Sequence, residues 1–398
     1  MINSIPPISH EFLGINLPDK RLKLRSHLML EKFFRTPDKS LPATFGGRAE
    51  LKAAYRFFNQ DCVSTEVILE PHVEKTIQRI NQHPTVLLVD DTTDINMSHM
   101  EQVHDLGTLN DTNSPGCLLH VLKAFTPERL ALGVVSAKFI NRLGDWRGKH
   151  KNSRAFSIEE KESYRWLEDY RKAGEIAKNT SSHIVYVADR EADIYEMFYE
   201  SLENEADLLV RGSHDRSILQ SNGINGHLLA ELGKNAPIGT TKFTIPAVKG
   251  KRKGRGKTRD VKGRGGREVE QEMRSVEVAI NPSKEKKKKF SPVKIYALYL
   301  KEVNVPIGEK PISWLLLTTL KIENQEDAQK VVNFYLCRWG IETFFHVLKN
   351  GCKIEELQLE HSSRLLTCIS MYLIVAWRIM YTMMLGRLMP EISCDLVF

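Results

Sequence analysis

The chain has 398 residues, 41% of them hydrophobic and 27% charged, with a net charge of +7. That length supports two or three domains with a sizeable core, and the composition excludes a disordered or fibrous chain. The charge is concentrated: Lys249 to Arg267 carries ten basic residues and one acidic, +9, which leaves −2 on the remainder, so the pattern points to a local polyanion contact.

Residues 1–80 read as a small helical domain. Asp19 is placed to cap a helix carrying Leu22, Leu28, Met29, Leu30 and Phe33, and T-P-D-K-S-L-P-A-T-F-G-G reads as a loop after it. Arg48 to Phe58 and Thr65 to Ile80 follow as amphipathic helices. Lys and Arg dot the region, which suits a helix laid on DNA as well as an ordinary solvated face. At Thr85 the texture changes. T-V-L-L-V is a short β-branched apolar run, a buried strand that ends in Asp90-Asp91-Thr92-Thr93-Asp94. Carboxylates at the end of a buried strand lie where α/β sheets build active sites. Side chains alternate along a strand, so Asp90 and Asp91 face opposite sides and only one can join a given cluster.

Leu118 to Phe125 and Leu130 to Lys138 read as two further strands around a tight T-P-E-R turn, giving an antiparallel three-strand start. Trp146 to Arg154 interleaves Trp146 with Arg147, Lys149, His150, Lys151 and Arg154, a pattern that suits nucleic acid without being specific to it. Ile158 to Lys178 is a long amphipathic helix. Ile184 to Ala188 is another buried strand with Asp189 at its end, a helix over Arg190 to Leu202 follows, and Asp207 to Arg211 is a fifth strand. Residues 213–293 have the character of an insertion. Its centre, K-G-K-R-K-G-R-G-K-T-R-D-V-K-G-R-G-G-R, lacks apolar anchors and is suited to ordering on phosphates through Lys251, Arg252, Lys253 and their neighbours, in a salt-sensitive, sequence-independent way. Val293 to Leu300 and Ile312 to Thr319 are strands, with Trp314 at the edge of the insert.

Tyr335 to Lys349, Y-L-C-R-W-G-I-E-T-F-F-H-V-L-K, reads as one helix. At roughly 100° per residue, Tyr335, Arg338, Glu342 and Lys349 fall within about 60° of one another along about 21 Å, while Phe344, Phe345 and Leu348 take other faces. A mixed-charge stripe is usually a solvated face with weak ion pairs. One carboxylate among basic groups also suits a metal-bound phosphate backbone. Leu365 to Leu385 is strongly apolar but interrupted by Arg378, and reads as a buried helix. Cys62, Cys117, Cys337, Cys352, Cys368 and Cys394 form no C-x-x-C, which argues against a zinc site and a disulfide framework and fits a reducing cytoplasm. The N-terminal stretch has neither the basic head nor the apolar core of a signal peptide.

Three strands, helix, strand, helix, strand, insert, helix is the order of an α/β ribonuclease-H-like core with a β-rich basic insertion, here behind a small helical N-terminal domain. The expected division is 1–80, then a catalytic domain over 81–360 with its insertion at 213–320, then 361–398. In that fold, carboxylates from the first strand, the fourth strand and a later helix converge, and two divalent ions roughly 3.5–4 Å apart serve phosphodiester displacement.

The sequence resembles the bacterial DDE transposases of the insertion-sequence-four group, especially its transposon-five-like branch. The resemblance is carried by K-S-L-P-A-T-F-G-G-R-A-E-L-K-A-A-Y-R-F, D-D-T-T at 90–93, V-A-D-R-E-A-D at 187–193, L-V-R-G-S at 209–213, W-L-L-L-T at 314–318, and the signature Tyr335, Arg338, Glu342 and Lys349. It implies Asp91, Asp189 and Glu342 as catalytic ligands of two Mg²⁺ ions, with Mn²⁺ as a substitute. It implies that Tyr335, Arg338, Lys349 and Arg211 hold DNA and that Trp314 stacks on a flipped base. It further implies N-terminal helices that read terminal inverted repeats, cut-and-paste chemistry through a DNA hairpin, attack on target DNA, and a homodimer on paired ends. The chain stops at E-I-S-C-D-L-V-F, 56 residues past Glu342, where relatives continue into a helical pairing domain. It is therefore expected to be truncated, with a DNA-binding remnant or inhibitor as the alternative to an active enzyme.

Overall fold

The computed structural model describes residues 6–99, 103, 105–109, 114–142, 157–220, 223–245, 247 and 265–391. In chain order the elements are α1 (Lys20–Arg35), α2 (Leu41–Phe45), α3 (Arg48–Phe58), α4 (Thr65–Ile80), β1 (Thr85–Asn96), β2 (Gly116–Phe125), β3 (Ala131–Ile140), α5 (Tyr164–Asn179) and β4 (His183–Ala188). They continue with α6 (Tyr195–Glu200), β5 (Asp207–Arg211), β6 (Ser217–Leu219), β7 (Asn225–His227), α7 (Leu228–Lys234), β8 (Gly239–Ile245), β9 (Arg267–Ile280), β10 (Val293–Val303) and β11 (Ser313–Thr318). Last come α8 (Gln325–Leu336), α9 (Trp339–His346) and α10 (Ser362–Leu388). They fall into two compact units. One is Met1–Ala188, Asn204–Ala206 and Leu336–Phe398, and the other is Asp189–Glu203 and Asp207–Tyr335.

In the first unit, β1 pairs antiparallel with β2 and parallel with β4, and β2 pairs antiparallel with β3. The parallel pair is the reason the run Val86–Val89 is buried on both faces, since helices cover both sides of such strands. Every residue of β2 is buried, including His120 and Lys123. The N-terminal helices belong to this unit. Asp19 accepts from Arg21 N at 2.7 Å and so starts α1, whose Met29, Leu30 and Phe33 are fully buried. Phe33 meets Tyr372 of α10 at a ring distance of 4.7 Å. Ser64 caps α4 through Val67 N. Glu11 accepts from Arg79 at 2.9 and 3.2 Å and bonds His72 at 2.6 Å, and Arg79 lies over the Trp377 ring. The residues before α1 are thereby tied to α4 and α10.

Helix α10 is long and apolar enough to cross a membrane by composition, yet most of it is buried inside this unit. Its Trp377 Nε1 donates to Ala131 O at 2.8 Å, and Arg378 donates to Pro6 O at 3.0 Å. This agrees with the buried helix expected over Leu365 to Leu385.

The second unit holds the β-rich insertion. Strands β5, β11, β10, β9, β6 and β7 are hydrogen-bonded in that order, and β8 adds to β9. Lys251, Arg252 and Lys253, the centre of the predicted phosphate-binding loop, lie outside the described residues, as does the Trp146 to Arg154 segment.

Four predicted elements differ. The helix expected over Ile158 to Lys178 is a 3-10 turn at Ile158–Glu160, with Lys161 in extended conformation after it, and then α5. The loop after α1 contains the short helix α2. The predicted helix over Arg190 to Leu202 is a 3-10 turn at Arg190–Ala192 followed by the short α6, because Asp189 caps Glu191 N and begins a tight turn instead of a ladder. The predicted single helix over Tyr335 to Lys349 breaks at Cys337–Arg338. There Gly340 N bonds Cys337 O at 2.8 Å and Ile341 N bonds Arg338 O at 3.0 Å, which are three-residue bonds in place of the four-residue ladder. Gly340 permits close packing on β2, since a Cβ there would lie 2.9 Å from Phe125. After α9 the chain widens into a π turn, Val347–Gly351, closed by Cys352 N on Val347 O at 2.8 Å.

Candidate active site

The strand-end aspartates divide as alternation requires. Asp90 is fully buried and Asp91 half-buried. Asp91 Oδ1 accepts from Thr92 N at 2.8 Å, and its Oδ2 accepts from Arg338 Nη1 at 2.9 Å. The second terminal nitrogen of Arg338 pairs with Glu342, four residues on and one turn along α9. One guanidinium thus spans the carboxylates of two residues predicted to be catalytic. Asn96 N, at the far end of β1, donates to Glu355 at 2.8 Å, and Lys349 lies 3.7 Å from the same carboxylate.

The predicted stripe of four residues on one helix does not form. Arg338 and Glu342 meet, but the π turn displaces Lys349 from the predicted face. Tyr335 is on α8, 4% exposed, with its ring 5.9 Å from that of Trp314. Trp314 is itself 7% exposed and stacked on Phe243 at 4.9 Å, so Phe243 covers a ring face that the resemblance assigns to a base.

Asp189 follows β4 directly and is half-buried, its carboxylate accepting from Glu191 N at 2.7 Å. The turn after it is pinned by Asp193. That carboxylate accepts from Ser213 N and Oγ at 2.7 and 2.8 Å and from Arg216 Nε at 2.8 Å, while Arg216 Nη2 reaches Asp193 O at 2.8 Å. The lock joins the Asp189 turn to the segment just beyond Arg211, which ends β5 half-buried. Sequence reasoning missed it. Its signal was the second aspartate of V-A-D-R-E-A-D, which has no reason to be buried unless paired.

Behind β1 lies a second network that the sequence did not announce. Tyr186 OH donates to Asp90 Oδ2 at 2.5 Å. His120 Nε2 is 3.1 Å from Asp90 Oδ1 and 3.3 Å from Asp169 Oδ2, while Lys138 holds Asp169 Oδ1 at 3.0 Å. Thr92 Oγ1 lies 2.8 Å from His120 Nδ1 and accepts from Arg165 Nε at 3.3 Å. The Thr92 hydroxyl thereby links His120 to Arg165. Burial pushes Asp90 well above the usual carboxylate range against the pull of the Tyr186 hydrogen bond, and pushes Asp169 up as well. Among the described residues, Asp90, His120 and Asp169 are also close enough to hold one metal ion, with ligand atoms within 4.8 Å of one another. Tyr186 and Lys138 engage the outer oxygens, while the inner oxygens, Asp90 Oδ1 and Asp169 Oδ2, face His120 Nε2 at ion-pair distance without hydrogen-bond geometry.

The donor set across Arg338 is of another kind. Asp91 and Glu342 are hard oxygen donors beside the sheet end, and both already accept a cation, the guanidinium. Such a pair fits a divalent ion of the Mg²⁺ class.

Residues 8–63 match the Transposase DNA-binding family, and residues 166–377, more than half of the chain, match the Transposase DDE domain. The DDE span takes in Asp189 and Glu342, while Asp91 precedes it. An α/β core with strand-end aspartates, a helix-borne glutamate facing one of them, and a DNA-binding region at its head agree with both matches, and the chain belongs to the DDE-domain transposases, DNA-binding proteins whose chemistry depends on divalent metal.

Proposed function

We propose that this chain is a cut-and-paste DNA transposase in which Asp91, Asp189 and Glu342 hold two Mg²⁺ ions, with Mn²⁺ able to replace them. The observation that carries the proposal is the guanidinium of Arg338, which draws together Asp91 and Glu342 from opposite parts of the chain, the Arg338–Asp91 bond spanning 247 residues. The parallel register of β1 and β4 runs to Val89 opposite Val187, and Asp91 and Asp189 each follow two residues later in their strands' sequence. Bound divalent ions supply Lewis-acid stabilisation of a phosphodiester displacement.

The chain's own residues orient the DNA. Arg338 offers a planar two-pronged donor to a phosphate, Lys349 a point charge, and Arg211 a further cation at the end of β5. Trp314, once Phe243 moves aside, presents an aromatic face to an extruded base, which offsets part of the unstacking cost. The helices of 8–63 read the terminal inverted repeats, and Lys251, Arg252 and Lys253 hold the backbone. In sequence, water cuts one strand at the element end, and the freed 3′ hydroxyl attacks the opposite strand to give a hairpin. Water then opens the hairpin, and the same hydroxyl attacks target DNA. Each step is an in-line displacement at phosphorus with no covalent enzyme intermediate. Two copies of the chain on paired ends complete the assembly.

The test is Mg²⁺-dependent cleavage of labelled DNA carrying the element's own end, run beside a gel shift of the same DNA. The wild-type chain should yield a hairpin. Glu342→Ala should still bind the end and cut nothing, since the substitution removes a metal ligand and leaves the phosphate contacts. Metal-dependent cutting retained by that variant would refute the assignment.

A further inference from the structure

Arg338 is not placed as a residue that simply waits for DNA. Its terminal nitrogens are divided between carboxylates on two elements, Asp91 on β1 at 2.9 Å and Glu342 on α9. The arginine side chain is 12% exposed and that of Asp91 16%, while that of Glu342 is 53% exposed, so the Asp91 contact is partly desolvated and the Glu342 contact lies open to solvent. Without the guanidinium the two carboxylates would face each other as like charges. With it they are bridged by one group, whose single positive charge offsets one of the two negative charges.

We propose that Arg338 is a counter-ion gate on the metal site. Its guanidinium bridges Asp91 and Glu342. A DNA phosphate, which matches the same fork as well as a carboxylate does, draws it away and opens the carboxylates to the divalent ion. A guanidinium cannot serve two carboxylates and a phosphate fully at once, so DNA and the ion favour each other's binding. Linkage makes the effect reciprocal. The consequence is a nuclease centre that stays closed until a strand is in place. The inference rests on the assignment of Asp91 and Glu342 as metal ligands.

The experiment is Mn²⁺ binding to the full chain, followed by the electron paramagnetic resonance signal of free Mn²⁺, for wild type, Arg338→Ala, Arg338→Lys and Asp91→Ala. Without DNA, Arg338→Ala should bind Mn²⁺ about tenfold more tightly than wild type, a typical coupling between linked sites. Adding a duplex oligonucleotide should tighten wild type far more than Arg338→Ala. Arg338→Lys keeps the charge but cannot span both carboxylates, and its DNA-free affinity should lie between the two. It also carries the test if the alanine variant fails to fold, and an affinity equal to wild type would then overturn the gate. If Asp91→Ala loses Mn²⁺ binding while neither arginine variant gains any, the gate is refuted and the metal assignment stands. If Asp91→Ala binds Mn²⁺ like wild type, the metal assignment falls and the gate with it.

Discussion

Glu11 offers the most quantitative test of how the DNA-binding region is held to the core of its unit. The carboxylate is 2% exposed. Burial alone would raise its pKa, but the hydrogen bond and charge of His72, and then the charge and hydrogen bonds of Arg79, outweigh burial and lower it to about 2. Burial pushes His72 itself below the ordinary imidazole range. The gap from an unfolded value of 4.5 is about 2.5, which corresponds to about 3 kcal/mol of native-state stabilisation. Because the folded pKa is depressed, that contribution is complete above about pH 4.5 and is lost as the pH falls toward 2. Glu11→Gln should therefore lower the urea-unfolding free energy of this unit by about 3 kcal/mol at pH 7, with the difference from wild type shrinking steadily below pH 4.5. A difference that stays constant from pH 7 to pH 3 would refute the electrostatic account and leave only packing.

Three further outcomes concern a buried lysine, the Asp193 lock and the basic segment of the insertion. Lys123 is fully buried, its ammonium nitrogen 3.6 Å from the Phe344 ring centre and 3.7 Å from the Met380 sulfur, and burial pushes its pKa well below the usual lysine range. Lys123→Met should stabilise the protein by about 1–3 kcal/mol at neutral pH. It should also abolish a rise of stability with pH that wild type shows up to about pH 10, where the unfolded chain holds a proton the folded one lacks; destabilisation in calorimetry would contradict this. Asp193→Ala should cost about 3–5 kcal/mol, because it leaves buried Arg216 without its anion, and urea curves equal to wild type would mean that the lock bears no load. Neutralising Lys251, Arg252 and Lys253 together should flatten the log–log salt dependence of DNA binding by about 0.9 for each phosphate no longer neutralised, and an unchanged slope would mean that the segment does not touch DNA.

Much of the fold was legible because its signals are local. Caps at Asp19 and Ser64 act within three residues, and the apolar runs 86–89 and 184–188 can only be buried strands. Alternation along β1 was enough to place Asp90 and Asp91 on opposite faces. The Tyr335–Lys349 helix misled for the same reason. Its periodicity is a property of an unbroken ladder, and the ladder breaks where Gly340 docks on Phe125, a partner far away in sequence.

The sequence by itself determined which residue types stand at the strand ends and at the head of α9, and the spacing of Arg338 and Glu342 that lets them meet one turn apart. Only the tertiary structure decided what those groups do to one another. His120 stands unmarked in the predicted strand Leu118 to Phe125 until the pairing of β1 with β2 sets it beside Asp90 and the packing of α5 brings Asp169 against it. Trp314 reads as a residue at the edge of the insert until Phe243 stacks on it. Arg338 reads as a DNA contact until β1 delivers Asp91 to its other nitrogen. The physical reason is common to all three: charge and stacking act through space over a few ångströms, and strand register, not position in the chain, sets those distances.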